Sequence, residues 1–208
     1  MAAEPGSHLG NSTTLCNNIL EGAGVETHPW YTGPSTLAAH HLICSEAMER
    51  SEDWGRACWY FGYDINRPQN GVFLPMVPAV ACELHVPLHV GNHRAGLGSE
   101  PDSRYPAAVK KLLEAYVRGV ADGKYCPNPV DLTDDLDEVS DDILGFIASG
   151  DWTLTSDGRD YLPGGVGCSG VTSIRNKARV PCPEKRRHGH RHPTTKKLLP
   201  RRVLRAGS

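Results

Sequence analysis

An α+β fold with little sheet is predicted by three observations. Two short apolar runs, at 36–44 and 72–74, suit strands. The stretch 105–120 repeats apolar residues at helical spacing. Gly and Pro, 22 and 16 of 208 residues, imply long irregular connections between elements.

Taken in order, residues 1–30 are polar and rich in Gly, Asn and Ser, and read as an arm or docking segment. "TLAAHHLIC" (36–44) reads as a strand carrying two histidines. In 45–63 the apolar positions Ala47, Met48, Trp54, Ala57, Cys58 and Phe61 predict one helix, capped by Ser45 and stopped by Gly62. A turn-rich segment leads to a short strand, Val72 to Leu74, closed by Pro75. The clearest helix follows at 105–120, with Val109, Leu112, Leu113, Tyr116, Val117 and Val120 on one face. Seven acids in 131–142 open a further helix through Ile143, Leu144, Phe146 and Ile147. The run reads as a solvated face, with a second metal site as the alternative. The four tryptophans, Trp30, Trp54, Trp59 and Trp152, are expected in the core.

The formal charge of −2 conceals two opposite parts. Residues 174–208 hold twelve Lys and Arg against Glu184 alone, a net +11, which leaves −13 on the first 173 residues. That segment is expected to be a flexible basic tail, with Lys185, Arg186 and Arg187 as candidate phosphate contacts, or simply a solvated counterweight to the acidic body. The domain reading is therefore an arm (1–30), a core (31–125), an acidic extension packing on it (126–173) and the basic tail (174–208). No apolar run is long enough to span a membrane, and the first residues lack the basic and apolar regions of a cleaved signal peptide. Seven cysteines without any C-x-x-C read as a mostly reduced chain, although a bridge between Cys168 and Cys182 stays open.

Histidines carry the chemistry. "HVPLHVGNH" (85–93) repeats His at every fourth position. Pro87 is tolerated only at the start of a helix, so a helix is expected to begin there. That drops His85 and leaves His89 and His93 one turn apart, an arrangement suited to metal chelation or to two surface histidines. In "AAHHLI" (38–43) neighbouring strand residues face opposite ways. One imidazole can then join a metal while the other takes a proton near neutral pH. The plainer reading is two structural histidines.

In combination these pieces are more specific. "AAHHLI" (38–43), "NGVFLP" (70–75), the H-x-G-x-H of 89–93 and the Tyr105-to-Val109 helix start occur in an order that resembles the AHH nucleases. These are a branch of the HNH/endonuclease VII (ββα-metal, His-Me finger) superfamily, often found as toxin modules of bacterial secretion systems. The resemblance implies a ββα-metal core elaborated with additional helices. It makes His40 a metal ligand with His89 and His93, His41 the general base, and Asn70 the asparagine that pins the hairpin. Eleven residues, "RAGLGSEPDSR", intervene between His93 and Tyr105, which departs from the family pattern and bears on His93. Arg94 is a candidate phosphate clamp or a solvated surface residue.

The implied activity is endonucleolytic hydrolysis of nucleic acid, DNA before RNA, with one divalent metal ion (Mg, Mn, Zn or Ni). The implied setting is an antibacterial effector of a system such as type VI secretion. Such an effector is made in the bacterial cytoplasm, loaded through the secretion apparatus or an adaptor without a cleaved signal, and active in the target-cell cytoplasm. A cognate immunity protein protects the producer. The competing reading is a non-catalytic binding module holding a structural zinc through its histidines.

Overall fold

The two short apolar strands pair as their character requires. β1 (Leu37–His41) and β2 (Gly71–Pro75) form a two-stranded antiparallel sheet, with Ala39 opposite Phe73, His40 opposite Val72 and His41 opposite Gly71. Every residue of β2 is buried, and so are four of the five in β1. The computed structural model describes residues 5–48, 51–77, 80–81, 84, 86–89, 105–149, 151–152, 154, 199–200 and 202–208. Its helices are α1 (Ser12–Ile19), α2 (Ser45–Met48), α3 (Glu52–Phe61), α4 (Tyr105–Ala121) and α5 (Val130–Ser149), with 3-10 turns at Val25–Thr27 and Pro68–Asn70. The predicted mixed α and β class with a minimal antiparallel sheet is what the chain adopts.

Where they are described, the first 30 residues lie against the rest of the fold. Asn11 caps α1 by accepting the Thr14 N–H at 3.0 Å. Leu15, fully buried, seats α1 against the sheet, a burial that stabilises by about 1.5–3 kcal/mol. The approach is close, so a side chain at position 71 would have to displace Leu15 and Ile19. A Cβ there would fall 2.6 Å from Leu15 Cδ1 and 2.7 Å from Ile19 Cδ1.

The single helix expected over 45–63 is two helices. Ser51 is extended (φ −110°, ψ 109°), and its hydroxyl accepts the Trp54 N–H at 3.3 Å, so it caps α3 with Glu52 and Asp53 in the first turn. This capping serine overrode the continuous apolar pattern, while Ser45, the expected cap, is the first residue of α2 and its hydroxyl accepts the Gly10 N–H. Gly62 does end the helix, in the left-handed region at φ 76°. Trp30, Trp54 and Trp152 are core residues, but Trp59 is 59% exposed, beside Tyr60 at 72%. Trp59 follows the inward pair Ala57–Cys58, and the roughly 100° helical step turns it outward.

α4 buries Tyr105, Ala108, Val109 and Leu113, and α5 buries Leu132, Leu136, Val139, Ile143, Leu144 and Ile147 at helical spacing. The acids of 131–142 lie on this helix, and two of them are engaged by cations. Asp135 accepts from Lys124 at 2.9 Å and from the Tyr125 hydroxyl at 2.8 Å, while Asp137 pairs with Arg67 at 3.1 Å. Among the described residues no helix is long and apolar enough to cross a membrane.

The last residues of the segment expected to be a flexible tail are docked. Leu199 and Leu204 are buried, and Trp30 Nε1 donates to the Pro200 carbonyl at 2.6 Å. Gly207 N–H donates to Gly71 O at 2.7 Å, and Phe73 N–H to Ser208 O at 2.9 Å. Apolar residues within a charged composition supply this anchor, and the outer edge of β2 supplies the hydrogen bonds. Lys185, Arg186, Arg187 and the Cys168–Cys182 pair lie outside the described residues. Cys16, Cys44, Cys58 and Cys126 are free thiols. Burial pushes Cys44 and Cys58 up to about 12, so both stay neutral and are poor metal ligands.

His28 ties this packing to pH. It is buried against Phe73 and Trp30, and its Nδ1 accepts the Trp30 N–H at 3.2 Å. Burial, then the charge of Arg202, lowers it to about 4. Folding therefore favours the neutral ring, a contribution complete above ~6.5 and lost as pH falls toward 4. The stability gap between wild type and His28→Gln is expected to shrink from pH 7 to 4.5 in denaturant titrations. A gap independent of pH would refute this account.

Candidate active site

β1 places His40 and His41 on opposite sides of the sheet, and both are buried, at 1% and 8% exposure. His40 faces the start of α4. Its Nε2 lies 3.2 Å from the Tyr105 hydroxyl, which itself donates to the Leu42 carbonyl at 2.6 Å. Burial, with Cys44 and then Glu46 nearby, holds that phenol well above its usual range, so it keeps its proton. A hydroxyl has one hydrogen, and here it goes to Leu42. His40 Nε2 must therefore carry the N–H that Tyr105 accepts, and its Nδ1 is the lone-pair nitrogen.

His89 stands beside it, the two rings 4.9 Å apart between centroids and inclined at 55°. The backbone reaches this position differently from expectation. Residues 86–89 are not helical, and the helical residues Val80, Ala81 and Leu84 precede Pro87 rather than follow it. His89 N–H donates to the Pro75 carbonyl at 2.9 Å, which ties it to the end of β2. The proline permits a helix start but does not compel one, and the open carbonyl at the strand end competes for the segment. His85, His93 and Arg94 lie outside the described residues, as does the segment between His93 and Tyr105.

Two neutral imidazoles suit borderline divalent cations, so the donors present fit such an ion. Among the described residues no group of three potential ligands assembles. The third expected ligand, His93, is one of those outside.

On the other side, His41 Nε2 lies 3.1 Å from Asn66 Oδ1. Asn66 is buried, and its amide orientation is settled by its other partners. Oδ1 accepts the Asn11 N–H at 2.6 Å, and Nδ2 donates to the Leu9 carbonyl at 3.2 Å and to Asp64 Oδ1 at 3.0 Å. With oxygen facing the ring, His41 Nε2 is the donor and Nδ1 the basic nitrogen.

Asn70 holds both histidine surroundings in register. Fully buried, it accepts the Ile43 N–H at 2.7 Å and donates to the Ile43 carbonyl at 3.0 Å and the Ile65 carbonyl at 2.8 Å. The Ser140 hydroxyl, 3.0 Å from both Asn70 Oδ1 and the Leu136 carbonyl, completes the set from α5. One side chain thus clips the turn after His41 to the loop that carries Asn66.

Sequence reasoning missed Asn66, Ser140 and the hydroxyl of Tyr105 as parts of the site. Asn66 sits in a turn-rich stretch where its bond to Asp64 marks only a local turn. Ser140 is hidden in the acidic run, and its apolar spacing neighbours Leu136, Ile143 and Leu144 are the signal that it points inward.

The arrangement separates a cation-suited pair of imidazoles from a proton-accepting one by a single residue step. A profile described as "a nuclease family of the HNH/ENDO VII superfamily with conserved AHH" matches residues 22–143. No curated protein and no solved structure shows significant similarity to the chain. The match covers more than half of the chain and includes His40, His41, Asn66, Asn70 and Tyr105, and with it the chain belongs to the AHH nuclease family.

Proposed function

We propose that the chain is a metal-dependent endonuclease that hydrolyses phosphodiester bonds of DNA. The observation that carries this reading is the split across β1. His40 and His89 lie together on one side, and His41 lies on the other with its Nδ1 as the basic nitrogen. Nucleases of this superfamily typically use a divalent metal, and His40 and His89, with His93, are the residues that would hold it. Such an ion supplies Lewis-acid stabilisation of the charge on the phosphate and the leaving oxygen.

The remaining work falls to side chains. His41 Nδ1 takes the proton of the attacking water, and the ring becomes an imidazolium that Asn66 Oδ1 continues to accept from. Tyr105 holds His40 in one tautomer, so its Nδ1 lone pair is the one offered to a ligand. Arg94 and the basic residues Lys185, Arg186 and Arg187 are proposed to meet phosphates, a contribution expected to weaken with salt.

An antibacterial effector role follows from the resemblance to toxin-borne nucleases. Delivery by a system such as type VI secretion, protection of the producer by an immunity protein, and action in the target-cell cytoplasm are part of that proposal. A purely structural zinc site would have no use for the buried His41–Asn66 pair on the opposite side of the strand.

The test is plasmid cleavage by the purified chain with a panel of divalent ions. Cleavage is expected to stop with EDTA and return when metal is added back. Melting in EDTA is expected to leave the protein folded, because the Asn70 network and apolar core hold it without an ion. Loss of folding on chelation without any cleavage beforehand would favour the structural-zinc reading.

A further inference from the structure

The segment 6–11 precedes the region matched by the nuclease family, yet it lies against His41. It is pinned at each end of its path. Gly6 N–H donates to the Cys58 carbonyl at 3.1 Å, the Ser7 carbonyl accepts the Ile65 N–H at 2.8 Å, and Gly10 N–H donates to Ser45 Oγ at 2.6 Å. Gly10 passes so close to the imidazole that a Cβ on it would lie 3.2 Å from both Cε1 and Nε2, and 2.5 Å from Ser45 Oγ.

Leu9 and Asn11, on either side of Gly10, supply two of the bonds that orient the Asn66 amide. The Leu9 carbonyl requires a donor and the Asn11 N–H requires an acceptor, so they place Nδ2 and Oδ1 unambiguously. Without them only Asp64 selects the orientation. A flipped amide would turn N–H groups toward His41, make Nε2 the acceptor and move the ring proton to Nδ1. A histidine in that tautomer is a correctly placed ring with the wrong nitrogen protonated.

We infer that residues 6–11 and Asn66 form a positioning device for His41, in which the segment holds the Asn66 amide and Asn66 holds the imidazole with its proton on Nε2. These are positioning residues, since neither touches the reacting atoms. The catalytic consequence rests on the nuclease reading above, whereas the tautomer itself does not.

The experiment uses the full chain with 15N-labelled histidine. Long-range 1H–15N correlations read which nitrogen of each ring is protonated, and His41→Gln assigns the signal. Wild type is expected to hold His41 in the Nε2–H form. Asn66→Ala and Gly10→Val are expected to convert it to a mixture or to Nδ1–H. In plasmid cleavage the same variants should lose about 10- to 100-fold in kcat with KM nearly unchanged, as expected when a base is misprotonated while substrate binding stays intact.

Gly10 is exposed, so Gly10→Val decides the question even where Asn66→Ala fails to fold. A wild-type tautomer and kcat in Gly10→Val overturn the proposal, as does a rise in KM with kcat unchanged. If wild type cleaves no nucleic acid under any metal, the nuclease reading fails, and the tautomer spectra of wild type and Gly10→Val still decide this inference.

Discussion

His41→Ala is expected to reduce plasmid cleavage by about 10²–10⁴-fold, the usual worth of a positioned general base, while leaving the protein folded. The described hydrogen bond that the substitution removes is the one to Asn66. Asn66 Oδ1, which loses the imidazole N–H, keeps the Asn11 N–H at 2.6 Å, and Nδ2 keeps Leu9 and Asp64. Circular dichroism and a thermal melt on the same preparation separate a chemical loss from an unfolding loss. Cleavage at the wild-type rate by a folded His41→Ala protein would remove His41 from the mechanism. His40→Ala serves as the contrast, because His40 is assigned to the metal side with His89 rather than to proton transfer.

Asn70→Ala is expected to act on the fold first and on activity as a result. The amide makes bonds to both backbone groups of Ile43, to the Ile65 carbonyl and to Ser140, all of them buried. Ser140 can fall back on the Leu136 carbonyl, 3.0 Å away, but the Ile43 N–H and the two carbonyls lose this partner. At about 1–3 kcal/mol for each of these three buried groups left unsatisfied, the cost is about 3–9 kcal/mol. Whole-domain stability is of order 5–15 kcal/mol, so this is a large share of it. With roughly 2–4 °C lost per kcal/mol in a chain of this size, the melting temperature should fall by about 6 °C or more. Urea denaturation of the two proteins measures the difference directly, and a variant within about 1 kcal/mol of wild type would contradict the pinning role. Ser140→Ala is expected to be far milder, since Asn70 Oδ1 retains the Ile43 N–H.

Much of this was legible in local pattern. The strand with Ala38, Ala39, His40 and His41, the strand before Pro75, the helix from Tyr105 and the stop at Gly62 follow from spacing and from residues with restricted backbones. The division of His40 from His41 follows from strand geometry alone, since successive residues cannot face the same side.

The departures share one cause. Ser51, residues 86–89 and the end of the tail each depended on a partner distant in sequence or on a competing local signal of equal strength. Pro87 allowed a helix start, but the Pro75 carbonyl took the His89 N–H instead. The basic composition of 174–208 argued for a solvated tail, but Leu199, Leu204 and the edge of β2 bind its last residues.

By itself, then, the sequence determined which histidines are candidates for the chemistry and which strand separates His40 from His41, because pleat and helical period are properties of the local backbone. Which nitrogen of each imidazole bears the proton was decided only by tertiary structure. That choice belongs to Tyr105, 65 residues from His40, and to Asn66, 25 residues from His41 and held by Leu9 and Asn11. A hydrogen bond between groups so far apart in the chain has no periodic trace in the sequence, since it exists only once folding has brought donor and acceptor together.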